Sequence, residues 1–528
     1  RDYLLHIFDG TSLLPSANEV FGRDFAPLWR LGPSNRVLGE LLDELRAEEN
    51  GQLRFTFGRL PGSVDEAGSS TRFLGDLYQD LNEGVRKRYA LLQTPDFVER
   101  FLLDHTLTPA LKDRGHAVTV LDPACGSGHL LLGAYDRLFA AWSGAESARP
   151  RHELAKEALG RVYGIDLNPY AAAVARFRLL LSYLDKAGLE KLEQVPDDVP
   201  LQVYVGDSLL AGLVDEQRGF GDLSGMAKSF GRTSIFSLSD PKADELLYKS
   251  TFDVIVANPP YITEKDAKKR DDIRKRYPRS ATGKYALSAP FAQRIFELGN
   301  RGAYTGQITA NSFMKREFGK GLVEKVLPHW DLTQVIDTSG AFIPGHGTPT
   351  VILFGRSQRA VTRHVPVVMG IRGEPTTPED PAKGKVWSSI TEHHREIGFE
   401  NDFISVAEVE RDKLGKHPWS IGGGGIADLM DVVDSGQPSL STAVDSVGIT
   451  AFTLEDDAFV NPSALHKRLG VEVSLLRPMV TGDELRDWSC SPGNVALFPY
   501  DADYRPVHLP TYPRAYHFLW AYRTNLAN

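Results

Sequence analysis

VTVLDPACGSGHLLLGAYDRLFAAW, residues 118–142, is the stretch on which the fold turns. Val118–Leu121 is a short apolar run of strand length, and His129–Trp142 carries apolar residues at helical spacing. A turn with Pro123, Gly126 and Gly128 separates them. The alternation recurs downstream. Val162–Ile165, Leu201–Val205, Asp253–Ala257, Gly306–Thr309, Leu332–Ile336 and Thr350–Phe354 read as buried strands, and Pro169–Asp185, Phe291–Leu298 and Arg316–Val326 as helices. Strands alternating with helices predict an α/β fold built on a doubly wound, mostly parallel sheet.

Upstream the pattern is helical. Leu38–Leu45 and Phe73–Leu81 have three- and four-residue apolar spacing, and Pro95–Leu103 reads as a helix with Thr94 at the N-cap and Pro95 first inside. Downstream, Gly373–Lys385 (GEPTTPEDPAKGK) reads as a linker and Gly422–Gly425 as a joint. The expected organisation is a helical N-terminal region over 1–85, an α/β domain over 86–370, a linker or hinge over 371–425 and a separate module over 426–528.

Composition narrows the classes. Among 528 residues, 42% are hydrophobic and 24% charged, which excludes a disordered or fibrous chain. No run of about 18 uncharged apolar residues is present, so no membrane-spanning helix is expected. Two cysteines, Cys125 and Cys490, are too few for a disulfide framework, and a cytoplasmic location is expected. The chain starts at Arg1 with no basic-then-apolar leader, and the expectation is a piece of something longer. The net charge of −9 argues at first sight against a nucleic-acid partner. Its distribution argues otherwise. Residues 427–460 hold seven acidic residues (Asp428, Asp431, Asp434, Asp445, Glu455, Asp456, Asp457) and no basic one, whereas Glu264–Ser280, EKDAKKRDDIRKRYPRS, holds eight basic and four acidic residues. Global sign speaks to solubility more than to where a ligand docks.

The glycine turn has the physics of a nucleotide site. Gly126 and Gly128 let the backbone pass close under a ligand, and the helix that follows offers free N–H groups. Strand ends add carboxylates: Asp166 is suited to a pair of ribose hydroxyls and Asp207 to an adenine amino group. The competing reading is that each Asp merely caps the next helix. A fourth strand runs into Asn258-Pro259-Pro260-Tyr261. An exocyclic amino group is a poor nucleophile because its lone pair is delocalised into the ring. Two fixed acceptors, the Asn258 side-chain oxygen and the Pro259 carbonyl, would hold both amino hydrogens and aim the lone pair at a methyl sulfonium. Two prolines stiffen the backbone there, and Tyr261 offers a ring for stacking on a planar base. A plain turn after a buried strand is the alternative.

These motifs resemble those of S-adenosylmethionine-dependent DNA adenine-N6 methyltransferases. That resemblance implies a Rossmann-like methyltransferase fold, S-adenosyl-L-methionine as cofactor, double-stranded DNA as partner and direct in-line methyl transfer to a base flipped out of the duplex. It implies that Thr94 and Pro95 hold the methionine end of the cofactor, that Asp122, Ala124, Gly126 and Gly128 form the cofactor turn, that Asp166 and Asp207 bind ribose and adenine, and that Asn258, Pro259, Pro260 and Tyr261 are catalytic. In ITANSFMKREFGKGL it places Phe318, ahead of Phe313, on the other face of the flipped base. Longer strings (FLGDLYQDLNEGVRKRYALLQTPDFVE, ANSFMKREFGKG, IDTSGAFIPGHGTPTVILFGR) are similar to the PglX methyltransferases of BREX phage-defence systems, which implies further defence-system subunits as partners. Leu476–Met479 through Leu497–Tyr500 is similar to the opening of a target-recognition region, here cut short.

Lys268, Lys269, Arg270, Arg274, Lys275 and Arg276 are the cations expected on DNA phosphates, with a solvated helix face as the competing reading. His393-His394 reads as surface and no metal site is expected. His346 sits in a Gly/Pro loop and reads as a turn residue. Cys125 lies inside the cofactor turn, which argues against a nucleophilic role. Two rival functions remain at this level: a protein-glutamine N5 methyltransferase using the same loop, and a partner-dependent sensor that binds DNA or cofactor without turnover.

Overall fold

This computed structural model describes residues 94–210, 241–249, 251–345, 347–419, 455–480 and 492–526 continuously, with further stretches within 2–53, 71–75, 421–446 and 485–490. His346, almost all of the helix expected over Phe73–Leu81 and most of the acidic 427–460 segment lie outside the described residues.

The centre is a nine-stranded sheet. Its strands in chain order are β1 (Val120–Asp122), β2 (Val162–Asp166), β3 (Gln202–Val205), β4 (Phe252–Ala257), β5 (Gly299–Ala310), β6 (Asp331–Asp337), β7 (Thr350–Arg356), β8 (His364–Gly370) and β9 (Ile404–Glu410). In space they run β9-β8-β6-β7-β5-β4-β1-β2-β3. β1 to β5 pair only in parallel with one another, and β6 with β8 likewise. β7 is antiparallel to both β5 and β6, and β9 is antiparallel to β8. A short return after β6 brings β7 back alongside, which only an antiparallel pair allows. The expected mostly parallel sheet is present as a mixed one.

Burial follows the strand period of two. Ile352 and Phe354 of β7 pack in one core cluster, Val351 and Leu353 in another. The first cluster is closed by α1 (Asp96–His105), α2 (Leu107–Arg114), α3 (His129–Ala145), α4 (Arg151–Leu159) and α5 (Pro169–Ala187). The helix α6 (Pro241–Lys249) meets a smaller cluster through Ala243 and Leu247. Across the sheet, the second large cluster is closed by α7 (Ala267–Arg276), α8 (Ser288–Glu297) and α9 (Lys320–Lys325). With both faces covered, strands read as continuous apolar runs, and all seven expected strands are found.

Three expectations need correction. The helix at 95 begins one residue late: Pro95 is extended (φ −60°, ψ 152°) and its carbonyl takes the N–H groups of Val98 and Glu99, so Pro95 is the N-cap and Thr94 lies outside. The expected helix Arg316–Val326 is broken into a 3-10 turn at Glu317–Gly319 and the short α9. Nor is 371–425 a linker. Within it α10 (Lys385–His393) buries Val386, Trp387 and Ile390, and β9 pairs with β8 along seven residues. The compact unit runs to Val432, and 433–528 forms a second. Proline and charge mark Gly373–Lys385 as a surface crossover, but the crossover leads back into the same sheet. Trp387 meets the rings of Phe97 at 4.8 Å and Phe101 at 5.4 Å. Trp387→Ala is therefore expected to cost about 3–5 kcal/mol in urea unfolding. A near-zero cost would restore the linker reading.

At the N-terminal end, Asp2–Ser12, Asn18–Phe21 and Asn35–Leu45 are helical, and Phe21 meets Phe177 of α5 edge-on at 5.4 Å. The second unit has its own small core of Val471, Leu475, Leu497, Ala515 and Leu519 around a three-stranded antiparallel sheet. Its Glu472 carboxylate accepts the N–H groups of Arg514 (3.0 Å) and Ala515 (2.9 Å), capping the helix Pro513–Trp520.

Candidate active site

The carboxyl ends of β1, β2, β3 and β4 open on one edge of the sheet, where such folds bind ligands. After β1 the chain turns sharply, with Gly126 at φ +53° and Gly128 at φ +87°. A Cβ on Gly128 would also sit 3.0 Å from the Ala175 Cβ of α5. The turn is stitched to β2: the Cys125 N–H donates to the Ile165 carbonyl at 3.0 Å, and the Gly126 N–H to Asp166 Oδ2 at 2.8 Å. Asp166 Oδ1 accepts the Asn168 N–H at 2.8 Å.

Helix capping does not account for two of the three carboxylates. α5 is capped by Asn168 and α3 begins at Gly128 with no side-chain cap, so Asp166 and Asp122 cap neither helix. Asp122 instead accepts the Ala124 N–H at 3.0 Å. Burial pushes its carboxyl up to about 8, with Asp166 adding to the effect, and burial pushes Asp166 up to about 6. Two carboxyls held uncomfortably at one edge fit a cationic ligand bearing hydroxyl donors. Burial also pushes the Cys125 thiol well up, which leaves it protonated and inert.

A pH prediction follows. The folded-state value of Asp122, about 8, lies above the ordinary 3.8, so the folded chain keeps a proton that the unfolded chain has already released between them. That contribution to stability is full at the acid end and is lost as pH rises to about 8. The cofactor-free protein is expected to melt at progressively lower temperature over this range in differential scanning fluorimetry. Asp122→Asn should flatten the decline, and an unchanged decline in that variant would contradict the assignment.

One positioning residue escaped the sequence reading. Arg178 of α5 is fully buried, and its Nη1 donates to the Ser127 carbonyl at 2.6 Å, inside the glycine turn. The signal was an arginine on the apolar face of PYAAAVARFRLLLSY. Gly75 lies against the same turn: a Cβ there would stand 2.7 Å from both Arg178 Nη1 and Ser127 Oγ.

Asp207 behaves differently. Its Oδ1 accepts the N–H groups of Leu209 (3.0 Å) and Leu210 (3.3 Å), so it does cap a turn. Its Oδ2 meets Lys269 Nζ at 2.8 Å, and Lys269 also reaches Glu264 at 3.6 Å. The same turn is tied down by Ser208 Oγ donating to the Pro123 carbonyl (2.6 Å), Arg294 Nε to Ser208 (3.1 Å) and Tyr277 Oη to Leu209 (3.0 Å).

The Asn258–Tyr261 loop closes on Thr94. Asn258 Nδ2 donates to Thr94 Oγ1 at 3.2 Å, and Tyr261 Oη donates to Asn258 Oδ1 at 2.7 Å. Both ends of the Asn258 amide are thus held by hydroxyl groups, which can each donate or accept. The shifted start of α1 has a purpose here: with Pro95 as cap, the Thr94 side chain is released toward Asn258. Burial raises the Tyr261 phenol far above its ordinary value, so it remains a donor.

The aromatic residues sort differently from expectation. Phe313 (1% exposed) packs against Trp419 at 5.6 Å, and Phe318 (9%) belongs to the same core cluster. Phe342, in the loop between β6 and β7 at the ligand edge, is 38% exposed. Its place in a Gly/Pro loop just after a strand was the available signal.

Of the cations expected on phosphates, Lys268 is exposed on α7, while Lys269 turns inward to Asp207. Arg274 pairs with Asp271 at 2.7 Å and Lys275 with Asp272 at 3.4 Å. Arg270 reaches the Glu264 carbonyl, and Arg276 lies over the Tyr277 ring. The mixed charge of the segment is thus spent largely within its own helix. His394 is a further correction: it is buried, and its Nε2 lies 2.7 Å from Nε2 of His105. Burial lowers both imidazoles, His105 to about 4, so the pair is neutral and shares one hydrogen bond. Among the described residues no three His, Cys, Asp or Glu groups are placed to hold a metal.

Residues 160–343 match the sequence model of the family described as Eco57I restriction-modification methylase. Over 526 residues the chain is 39% identical to the adenine-specific methyltransferase PglX of Streptomyces coelicolor, covering 96% of this chain and 43% of that one. It is 24% identical to the type II methyltransferase M.XhoI of Xanthomonas vasicola, over 57% of this chain and 54% of the relative. The chain therefore spans about half the length of these relatives. In fold it resembles the type IIL restriction-modification enzyme MmeI, solved in complex with DNA, with a TM-score of 0.51 at 13% identity, covering 98% of this chain and 65% of that one. The stitched glycine turn, the paired carboxylates and the Asn258 loop thus lie in or beside the stretch that matches the Eco57I restriction-modification methylase model, within a chain similar along nearly its whole length to an adenine-specific methyltransferase.

Proposed function

We propose that this chain transfers a methyl group from S-adenosylmethionine to N6 of an adenine turned out of duplex DNA. The observation that carries the reading is the orientation of Asn258, held by Thr94 and Tyr261 beside the Asp122–Asp166 edge. Asp166 would take the ribose hydroxyls, Asp207 the adenine amino group, and the Asp122 carboxyl with the Thr94-Pro95 segment the methionine end. Bound there, the cofactor would supply a methyl group on a sulfonium, open to in-line displacement.

The rest is done by the chain. Asn258 Oδ1 and the Pro259 carbonyl accept the two amino hydrogens of the target, which localises the nitrogen lone pair. The hydrogen bonds to Asn258 are made in advance, so no reorganisation is needed when the base arrives. The Tyr261 ring walls one side of the target, and Phe342, exposed at the same edge, is proposed for the other in place of Phe318. An adenine within a duplex cannot reach this edge, hence the requirement for flipping. Work alongside other subunits of a BREX-type phage-defence system is part of the proposal and rests on the likeness to PglX.

The test offers the protein tritium-labelled S-adenosylmethionine with duplex DNA and, separately, with a glutamine-bearing protein acceptor. Label in DNA is expected. Label in protein alone would favour the glutamine methyltransferase, and cofactor binding without transfer would favour a sensor.

A further inference from the structure

Beside the candidate site lies a cleft of about 630 Å³, walled by Pro278–Lys284 on one side and Arg316–Lys325 on the other. Its walls are joined by the Thr282 hydroxyl, which donates to the Phe318 carbonyl at 3.0 Å. They also touch at Gly321, where a Cβ would stand 1.9 Å from the Arg279 carbonyl. Both walls lead back to the ligand edge. The Leu287 N–H donates to the Ile262 carbonyl at 2.8 Å, next to Tyr261, and the second wall follows directly from the carboxyl end of β5.

The charge of the cleft sets it apart. Arg279, Lys284, Arg316, Lys320 and Lys325 line it and are all exposed. Among the described residues none of these five forms an ion pair, and the acidic residues of the cleft are Glu317 and Glu324. Glu324 is already engaged by the His417 N–H at 3.3 Å. On α7, by contrast, Lys269, Arg274 and Lys275 are each neutralised by a carboxylate. Unneutralised cations gathered along an open groove, with their counterions free to leave, are what a phosphodiester backbone selects.

We propose that this cleft, and not the α7 segment, carries the phosphate backbone of the DNA strand next to the flipped adenine. The assignment rests on the methyltransferase reading above and adds the contact surface to it. Arg279, Lys284 and Arg316 take the phosphates, and the half-exposed Thr282 lies between them on the floor.

The experiment is fluorescence anisotropy of a labelled random-sequence duplex over a salt series. It compares the intact chain with the triple variant Arg279→Gln, Lys284→Gln, Arg316→Gln. The matched control removes three exposed arginines at the opposite edge of the sheet, as Arg301→Gln, Arg359→Gln, Arg363→Gln. Neutralising three phosphate contacts is expected to lower the slope of log affinity against log salt by about 2–3, since each contact contributes about 0.9. The control should change it by a few tenths. Arg279→Lys with Arg316→Lys should keep the slope, and cofactor binding should be the same in every variant. Equal slopes for the cleft and control variants, with methyl transfer to DNA intact, would overturn the cleft and leave the methyltransferase reading standing. A chain that binds cofactor but no duplex would bring down both.

Discussion

Asn258→Ala is expected to lower kcat for methyl transfer by about 10²–10³-fold or more, the range found when one fixed polar group is removed from a charge-developing site. Its side chain makes the 3.2 Å and 2.7 Å bonds to Thr94 and Tyr261, and removing it leaves the glycine turn and Asp166 untouched. Cofactor affinity by isothermal titration should therefore stay near that of the intact chain. Thr94→Val offers a milder companion. It removes the acceptor that orients the amide while keeping the Asn258 oxygen, so kcat should fall less. An Asn258→Ala protein with weakened cofactor binding and a normal rate at saturation would sink the role assigned to Asn258.

The second large effect belongs to Asp166. Each hydrogen bond to an ionised group is worth about 1.5–3 kcal/mol. On the proposed ribose-binding role, losing two such contacts in Asp166→Ala should weaken S-adenosylmethionine binding by about 100-fold or more, on the same scale. The same carboxylate holds the Gly126 and Asn168 N–H groups, so the turn loosens as well. Because the proposed role is in binding, kcat at saturating cofactor should be largely preserved, and Asp166→Asn should fall between the two. With its carboxyl pushed up to about 6, binding should also weaken as pH drops through that value. An unchanged Kd in Asp166→Ala would place the ribose elsewhere.

Much of this could be read from residues alone, for identifiable reasons. Strands β1 to β7 were legible because both sheet faces are covered, so each strand is a plain apolar run. β9 was not: as an edge strand it reads ISVAEVE, with Glu408 and Glu410 at the solvent side, behind a Pro-rich crossover that imitates a linker. In the site, the glycine turn and Asn258 stood out because their chemistry depends on local sequence. Arg178, Lys269 and His394 did not, because each finds its partner far along the chain: Ser127, Asp207 and His105. Spacing along one segment says nothing about a partner supplied by another. On α7 that applies to Lys269, whereas Arg274 and Lys275 are paired by Asp271 and Asp272 three residues away in the same helix.

The central claim concerns one atom, N6 of adenine, and nucleoside analysis reads it directly. Duplex DNA incubated with the protein and labelled S-adenosylmethionine is digested to nucleosides and resolved by liquid chromatography with mass detection. The account predicts label in N6-methyl-2′-deoxyadenosine, present with the intact chain and lost with Asn258→Ala. Label in N4- or C5-methyl-2′-deoxycytidine, or in the DNA at full rate with Asn258→Ala, would contradict it.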